Sequence, residues 1–116
     1  MSEEGSKGSV LESCVGKGHD LSSLVEYAED SVVSKTVLDK KAGTLTLFAF
    51  DKGQRLSEHR APFDAVVEVI DGTGRITIDG VDNDVSAGQI IIMPADVPHS
   101  VTAEERFKML LIMIRN

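Results

Sequence analysis

The sequence has 116 residues, which suits one domain and is too short for two. Apolar residues make up 41% of the chain and aromatic residues only 4%, so a single aliphatic core is expected. The net charge of −7 points away from nucleic acids and anionic membranes, which require clustered basic residues, and neither is expected as a partner.

The N-terminal quarter is predicted to be a polar tail followed by a short helix. Residues 1–9 are rich in Gly, Ser and Glu. Asp20 is the predicted N-cap of an amphipathic helix. Its apolar side chains recur at helical spacing: Leu21, Leu24, Val25 and Ala28. We therefore assign residues 1–30 to a tail and helix that pack on a domain formed by residues 31–116.

From Val32 onward, short runs typical of β-strands alternate with turn signals. The predicted strands are Val32–Leu38, Gly43–Phe50, Ser57–Arg60, Ala65–Ile70, Arg75–Ile78, Val81–Val85, Ile90–Met93, His99–Ala103 and Phe107–Ile114. Asp79-Gly80 predicts a two-residue hairpin turn. The uninterrupted apolar run Ile90–Met93 predicts a strand buried on both faces. The pattern indicates an all-β sandwich or barrel.

Two motifs in this region resemble those of the cupin superfamily. The first motif, a Gly followed by five residues and a His with a second Gly further on, is matched by Gly53, His59 and Gly72. The second, in which Gly precedes Pro and His, is matched by Gly88, Pro94 and His99. The segments LSEHRAPFDA and IIMPADVPHSV are similar to small single-domain cupins. The resemblance implies an antiparallel cupin barrel, the double-stranded β-helix or jelly roll.

The resemblance also implies a metal site, of which this chain keeps half. Three His and one Glu hold a divalent ion inside the barrel in the wider family. Here the second His position is Ala61 and the Glu position is Ala65. The resemblance therefore implies a divalent transition metal, such as Zn, Ni, Fe or Mn, held by His59 and His99.

A carboxylate is the natural third ligand for two imidazoles. Strand alternation predicts that Glu58 and Glu68 face outward, whereas Asp64 follows the turn at Pro62 and is free of that alternation. Asp64 is therefore the candidate third ligand. The alternative is that Asp64 only caps its turn.

The two alanines are also expected to leave an apolar hollow beside the histidines. Such a hollow with a few polar groups is typical of a small-molecule pocket. The predicted pocket residues are His59, Ala61, Phe63, Ala65, Met93 and His99. For Phe63 and Met93 the alternative is ordinary core packing.

Three functions remain open at this point, and the sequence does not decide whether the protein is an enzyme. The first is a module that binds a small molecule in the barrel, with or without a weakly held divalent metal. The second is a metal-dependent enzyme of the dioxygenase or isomerase type, which would use His59, His99 and a carboxylate or water. The third is a metal-free sugar isomerase or epimerase that uses a His base and a Tyr acid. It is disfavoured because the sole tyrosine, Tyr27, lies on the predicted helix outside the barrel.

Assembly and location are predicted from the distribution of apolar residues. Phe107–Ile114 is apolar on both faces of a strand, and since one face fills the barrel the other requires cover. The N-terminal strand and helix are one source of this cover. A small barrel also exposes strand edges that partners commonly close, so a homodimer is expected. The chain has neither an apolar run of transmembrane length nor a signal-peptide pattern, so a cytoplasmic location is expected.

Overall fold

The computed structural model describes residues 9–115, and within them β-strands dominate. Nine strands are formed in this range: β1 (Ser9–Val10), β2 (Val32–Lys40), β3 (Gly43–Phe50), β4 (Arg55–His59), β5 (Asp64–Ile78), β6 (Val81–Ser86), β7 (Ile90–Met93), β8 (His99–Thr102) and β9 (Phe107–Ile114). All pairings are antiparallel, which confirms the predicted fold class. The tail predicted for residues 1–9 lies, apart from Ser9, outside the described residues.

The long strand β5 joins two sheets. Its first part pairs with β9 on one side and β7 on the other, giving a first sheet in the order β1-β2-β3-β9-β5-β7. Its second part pairs with β6 and β8, giving a second sheet in the order β6-β5-β8-β4. The sequence predicts two strands here, but a register shift between Val69 and Asp71 bends one continuous strand from the first sheet into the second.

The main core lies between the two sheets. Ala65, Val67 and Val69 alternate inward along β5 and are buried, as the strand pattern predicts. At the end of β3, the rings of Phe50 and Phe107 stack with centroids 4.7 Å apart.

Gly74 allows the second sheet to approach this aromatic stack. A Cβ atom at Gly74 would lie 2.3 Å from the ring of Phe107. Only glycine therefore fits on β5 beside Phe107.

The predicted N-terminal helix is wrong. Residues Leu21–Leu24 form one 3-10 turn, and Val25 is extended with φ −136°. Ser23 Oγ donates to the carbonyl of Asp20 at 2.7 Å, a local bond that competes with helix continuation. None of the helices in residues 9–115 is long and apolar enough to cross a membrane.

The extended N-terminal segment instead covers part of the outer face of the first sheet. It forms a second cluster on this face, and the buried members of that cluster are Val25, Leu47, Ala49 and Leu110. Polar bonds fix the segment in place: Tyr27 donates to Asp71 Oδ2 at 2.6 Å, and Lys108 Nζ donates to the carbonyl of Ser22 at 2.6 Å. Desolvation raises the pKa of Tyr27, and the bond to the Asp71 carboxylate raises it further.

Strand β7 is not buried on both faces, so that prediction is also wrong. Ile90 is 64% exposed and Ile92 is 58% exposed. β7 is the terminal strand of the first sheet, and β5 is its only strand partner within residues 9–115. Its inward residues reach the core, while its outward residues have no element over them in the described part of the chain.

Candidate functional site

Two histidines meet at one end of the second sheet. His59 is the last residue of β4 and His99 is the first residue of β8, and the two are register partners across the ladder. Their Nε2 atoms lie 3.1 Å apart, and the ring planes are inclined by 73°. The structure thus brings together two predicted site residues that are 40 positions apart in the sequence.

The backbone fixes which ring nitrogens face each other. Nδ1 of His59 lies 2.8 Å from the carbonyl oxygen of Ser57, and Nδ1 of His99 lies 3.1 Å from that of Val97. A carbonyl oxygen only accepts hydrogen bonds, so each Nδ1 carries the proton and donates it. In the neutral rings, each Nε2 therefore carries a lone pair, and the two lone pairs point into the same space.

Two lone pairs at 3.1 Å repel each other unless a cation lies between or beside them. A proton shared by the two rings is one such cation, and a metal ion is the other. Two nitrogens bound at about 2.0–2.1 Å to one tetrahedral zinc ion are about 3.3 Å apart. The observed separation is close to this value, so the pair fits two positions of a metal coordination shell.

The two rings differ in their exposure. His99 is buried and only 5% exposed, whereas His59 is exposed to solvent. Desolvation lowers the pKa of His99; the Val97 carbonyl opposes this shift and the neighbouring His59 adds to it. His99 is therefore neutral at pH 7, the form in which imidazole binds metals.

Asp64, the predicted third ligand, is not brought to this pair. Its Oδ1 accepts a hydrogen bond from the backbone N–H of Ala95 at 2.8 Å, which holds the turn after β7. Within residues 9–115, no group of three or more His, Cys, Asp or Glu side chains is arranged to hold a metal ion. Asp64 thus has a structural contact, but the contact is with the turn after β7 and not within its own turn, as the alternative interpretation proposed.

The other predicted pocket residues separate into two groups. Ala65 and Met93 face each other across the β5–β7 ladder and are buried in the core. Phe63 and Ala61 are half-buried in the segment between β4 and β5. Since β4 ends at His59, Ala61 is not on a strand, and its carbonyl instead accepts the N–H of Asp96 at 2.8 Å. Strand alternation therefore does not carry over from His59 to Ala61.

The sequence interpretation missed the two carbonyls that orient the rings. Ser57 and Val97 each lie two residues before a histidine, so both rings are held by the same local contact. A backbone carbonyl is present at every residue, whatever its type. No residue pattern could therefore have identified these two.

Comparisons with known proteins agree with this architecture. The family model for the cupin domain matches residues 46–114. A conserved protein of unknown function from Streptococcus pyogenes is 38% identical, with a TM-score of 0.82 over 86% of this chain and 88% of that one. A cupin 2 conserved barrel domain protein from Leptotrichia buccalis is 43% identical, with a TM-score of 0.82 over 84% of this chain.

The coverage of these structures differs. The chain spans 47% of the Leptotrichia protein but 92% of a cupin superfamily protein from Desulfitobacterium hafniense, to which it is 28% identical with a TM-score of 0.82. No curated protein matches the chain.

Proposed function

We propose, from the premise that this chain belongs to the cupin family, that it is a binding module that holds a small molecule at the histidine pair. His59 and His99 would hold a divalent transition metal weakly, and the ion would offer its remaining positions to donor atoms of the small molecule. One observation carries the proposal. The Nε2 atoms of His59 and His99 converge at 3.1 Å while both Nδ1 protons are committed to carbonyls.

The count of ligands supports weak rather than tight metal binding. Two imidazoles are fewer than the three protein ligands of most catalytic zinc sites. An ion held by two side chains keeps several positions for water or for donor atoms of a bound molecule. When bound, such an ion would act as a Lewis acid toward the oxygen or nitrogen donors of that molecule.

This chain's own residues would orient the ion and restrict its exchange with solvent. The carbonyls of Ser57 and Val97 hold both rings with Nε2 directed into the site, as partners of metal-bound histidines commonly do. Burial keeps His99 neutral and ready to bind, whereas His59 lies at the solvent side. Exchange of the small molecule is therefore expected on the side of His59.

The alternative is a metal-dependent enzyme of the dioxygenase or isomerase type, in which His59 and His99 act with a carboxylate or water. Asp64 is the carboxylate that the sequence suggests for this role. The bond from the Ala95 N–H to Oδ1 instead holds the Asp64 carboxylate at the turn after β7, and within residues 9–115 Asp64 does not form a three-ligand group with the two histidines. That contact supports the binding module over an enzyme that depends on Asp64.

Calorimetric titration of nickel or zinc into chelator-treated protein tests the proposal. We expect one ion per chain, with at least tenfold weaker binding in His59→Ala and in His99→Ala. His19→Ala is the matched control, because His19 is exposed and its Nε2 contacts the carbonyl of Ser13. Its affinity should equal that of the unmodified protein.

Asp64→Asn distinguishes the two functions. The binding module predicts unchanged metal affinity in this variant, since the amide oxygen can still accept from Ala95. A large loss of affinity in folded Asp64→Asn would favour the enzyme with a carboxylate ligand. Unmodified protein that binds nickel no better than the double histidine variant would refute the proposal.

A further inference from the structure

The inward side chains of the first sheet differ in their exposure near the histidine end. On β5 and β7 they are buried, as Ala65 and Met93 show. On β3 and β9 a group of them is only half-buried: Thr44, Thr46, Leu111 and Met113. The space that stays open inside the barrel therefore lies along β3 and β9, and not in the hollow that the sequence predicts beside Ala65.

Strand alternation places the two threonines on the inner face of β3. Phe48 packs against the main core between the sheets, whereas Leu47 belongs to the cluster on the outer face. The β3–β9 ladder has no register shift, so Thr44 and Thr46 face the same way as Phe48. Both hydroxyl groups are therefore directed toward the interior of the barrel.

An apolar row on β9 runs beside this pair of threonines. Met113 is the register partner of Thr44, and Leu111 is the register partner of Thr46. Leu111 packs against the main core, and strand alternation puts Met113 on the same face. We call these four residues the threonine wall.

The threonine wall lies opposite the histidine pair. Strand β3 turns into β4 through residues 51–54, so the two strands lie opposite each other in the two sheets. Phe48 on β3 and Leu56 on β4 both pack against the main core. Toward the histidine end, the next inward residue is Thr46 on β3 and His59 on β4. A molecule bound at the histidines therefore extends toward Thr46.

The hydroxyl groups of the wall are available to such a molecule. On the β5–β6 ladder, the hydroxyl of Thr77 donates to Asp82 at 2.7 Å. Within residues 9–115, the hydroxyls of Thr44 and Thr46 have no comparable protein partner. A hydroxyl group both donates and accepts, so each threonine offers one donor and two acceptor positions.

The threonine wall carries no charge. On the neighbouring strand β2, Asp39 is the register partner of Thr44, and its carboxylate lies 3.8 Å from the guanidinium of Arg115. A charged group bound at the wall would lose its hydration without gaining a counter-ion there. An uncharged hydroxyl group can bond to the threonines without that cost.

We propose that the molecule held at the histidine pair has an uncharged, hydroxyl-bearing end that Thr44 and Thr46 bind, and a short carbon chain that lies on Leu111 and Met113. This inference rests on the proposed function, because the bound ion would take the other end of the molecule. Sheets that pack face to face are about 10 Å apart, and side chains occupy part of that distance. A chain of a few non-hydrogen atoms therefore spans the gap.

Calorimetric titration of nickel-loaded protein with small hydroxamic acids tests the inference. γ-Hydroxybutyrohydroxamic acid, the hydroxyl probe, ends in a hydroxyl, and valerohydroxamic acid, the methyl probe, has a methyl group in its place. We expect the hydroxyl probe to bind about three- to tenfold more tightly, as one added hydrogen bond allows. Succinic monohydroxamate, which ends in a carboxylate, should bind more weakly than both. Competition for nickel by the hydroxamate group is common to all three, so the differences report on the wall.

Threonine-to-valine variants assign the difference to the wall. Thr44→Val and Thr46→Val remove the hydroxyls at nearly constant volume, and valine is favoured in strands, so both variants are expected to fold. The advantage of the hydroxyl probe should fall in each variant and vanish in the double variant. Nickel affinity should stay unchanged. Thr77→Val is the matched control, because its hydroxyl bonds to Asp82, and it should keep the full advantage.

Three results would overturn this inference while leaving the proposed function intact. One is equal affinity of the nickel-loaded unmodified protein for the hydroxyl and methyl probes. Another is an advantage of the hydroxyl probe that the double threonine variant retains. The third is tightest binding of succinic monohydroxamate, which would require a positive charge at the wall. Unmodified protein that does not bind nickel would overturn the proposed function, and this inference with it.

Discussion

The two ends of the β4–β8 ladder differ in whether their polar side chains find hydrogen-bond partners within the protein. One end lies beside Asp51, where β3 ends and β9 begins, and we call it the closed end. There the Asp51 carboxylate accepts hydrogen bonds from the N–H of Asp30 and from Nε of Arg106, both at 2.7 Å. At the histidine end, the lone pairs of His59 and His99 face each other across 3.1 Å. The carboxylate at the closed end thus has its hydrogen-bond donors within the protein, whereas within residues 9–115 the two Nε2 lone pairs at the histidine end have none.

This difference separates a structural cluster from a candidate binding site. Polar groups inside a folded protein are nearly always paired, and a satisfied network rigidifies the fold around it. Asp51 joins three segments in this way and is only 8% exposed. Two facing lone pairs do not stabilise the fold in the absence of a bound cation, so the histidine end is the one suited to a ligand.

The largest difference in stability between the two ends is expected when their aromatic residues are replaced by alanine. Phe107→Ala should lower the free energy of unfolding by about 3–5 kcal/mol, because the ring is fully buried against Phe50. Phe63→Ala is the matched control at the histidine end. Because Phe63 is half-buried, a loss of only about 1–2 kcal/mol is expected. Equal losses in urea denaturation would contradict the contrast.

The next effect concerns the carboxylate of the closed end. Asp51→Asn removes the charge that Arg106 faces and should lower Tm by several degrees. Asp84→Asn is the control, since Asp84 also pairs with an arginine, Arg75, at 3.2 Å, but its side chain is 62% exposed. An exposed pair of this kind contributes little, so Tm should hardly change. Differential scanning calorimetry of both variants makes the comparison.

The same carboxylate predicts a dependence of stability on pH. Hydrogen bonds from Arg106 and from the backbone lower the pKa of Asp51 from 3.8 to about 2. A carboxyl group whose pKa is lower in the folded state stabilises the fold above pH 3.8, and this contribution is lost as the pH falls toward 2. The free energy of unfolding, measured from pH 5 to pH 2, should therefore decline more steeply in the unmodified protein than in Asp51→Asn. Parallel curves would show that Asp51 does not contribute.

The smallest effect on stability is expected at the histidine pair. In chelator at pH 8, His59→Ala should change the free energy of unfolding by no more than about 0.5 kcal/mol, because the ring is exposed and its Nε2 lone pair faces that of His99 instead of a hydrogen-bond donor. Nickel should then raise the Tm of the unmodified protein and of His19→Ala but not that of His59→Ala. A large loss of stability in metal-free His59→Ala would make the pair a structural element like Asp51.

Much of this architecture could be predicted from residue patterns, because strands and turns depend on local alternation. The bounds of Gly43–Phe50, Ile90–Met93 and Phe107–Ile114 agree between sequence and structure. The Gly, Pro and His spacings of the two motifs likewise identified the cupin family. Each of these features depends on residues that are near one another in the chain.

The tertiary structure alone decided what covers or contacts each element. Helical spacing after Asp20 did not produce a helix. Val25 is extended there and buries its side chain against the outer face of the first sheet, a contact that the spacing could not reveal. An apolar run did not bury both faces of β7, because a terminal strand has a neighbour on one side only.

The same distinction holds at the site. Sequence spacing named His59 and His99, but the direction of their lone pairs depends on two carbonyls that no residue type encodes. The role of Asp64 depends on Ala95, which lies 31 residues further along the chain. Periodicity thus determined which residues share a face of a strand. Folding determined what lies opposite that face, because the contacts that cover it come from distant parts of the chain.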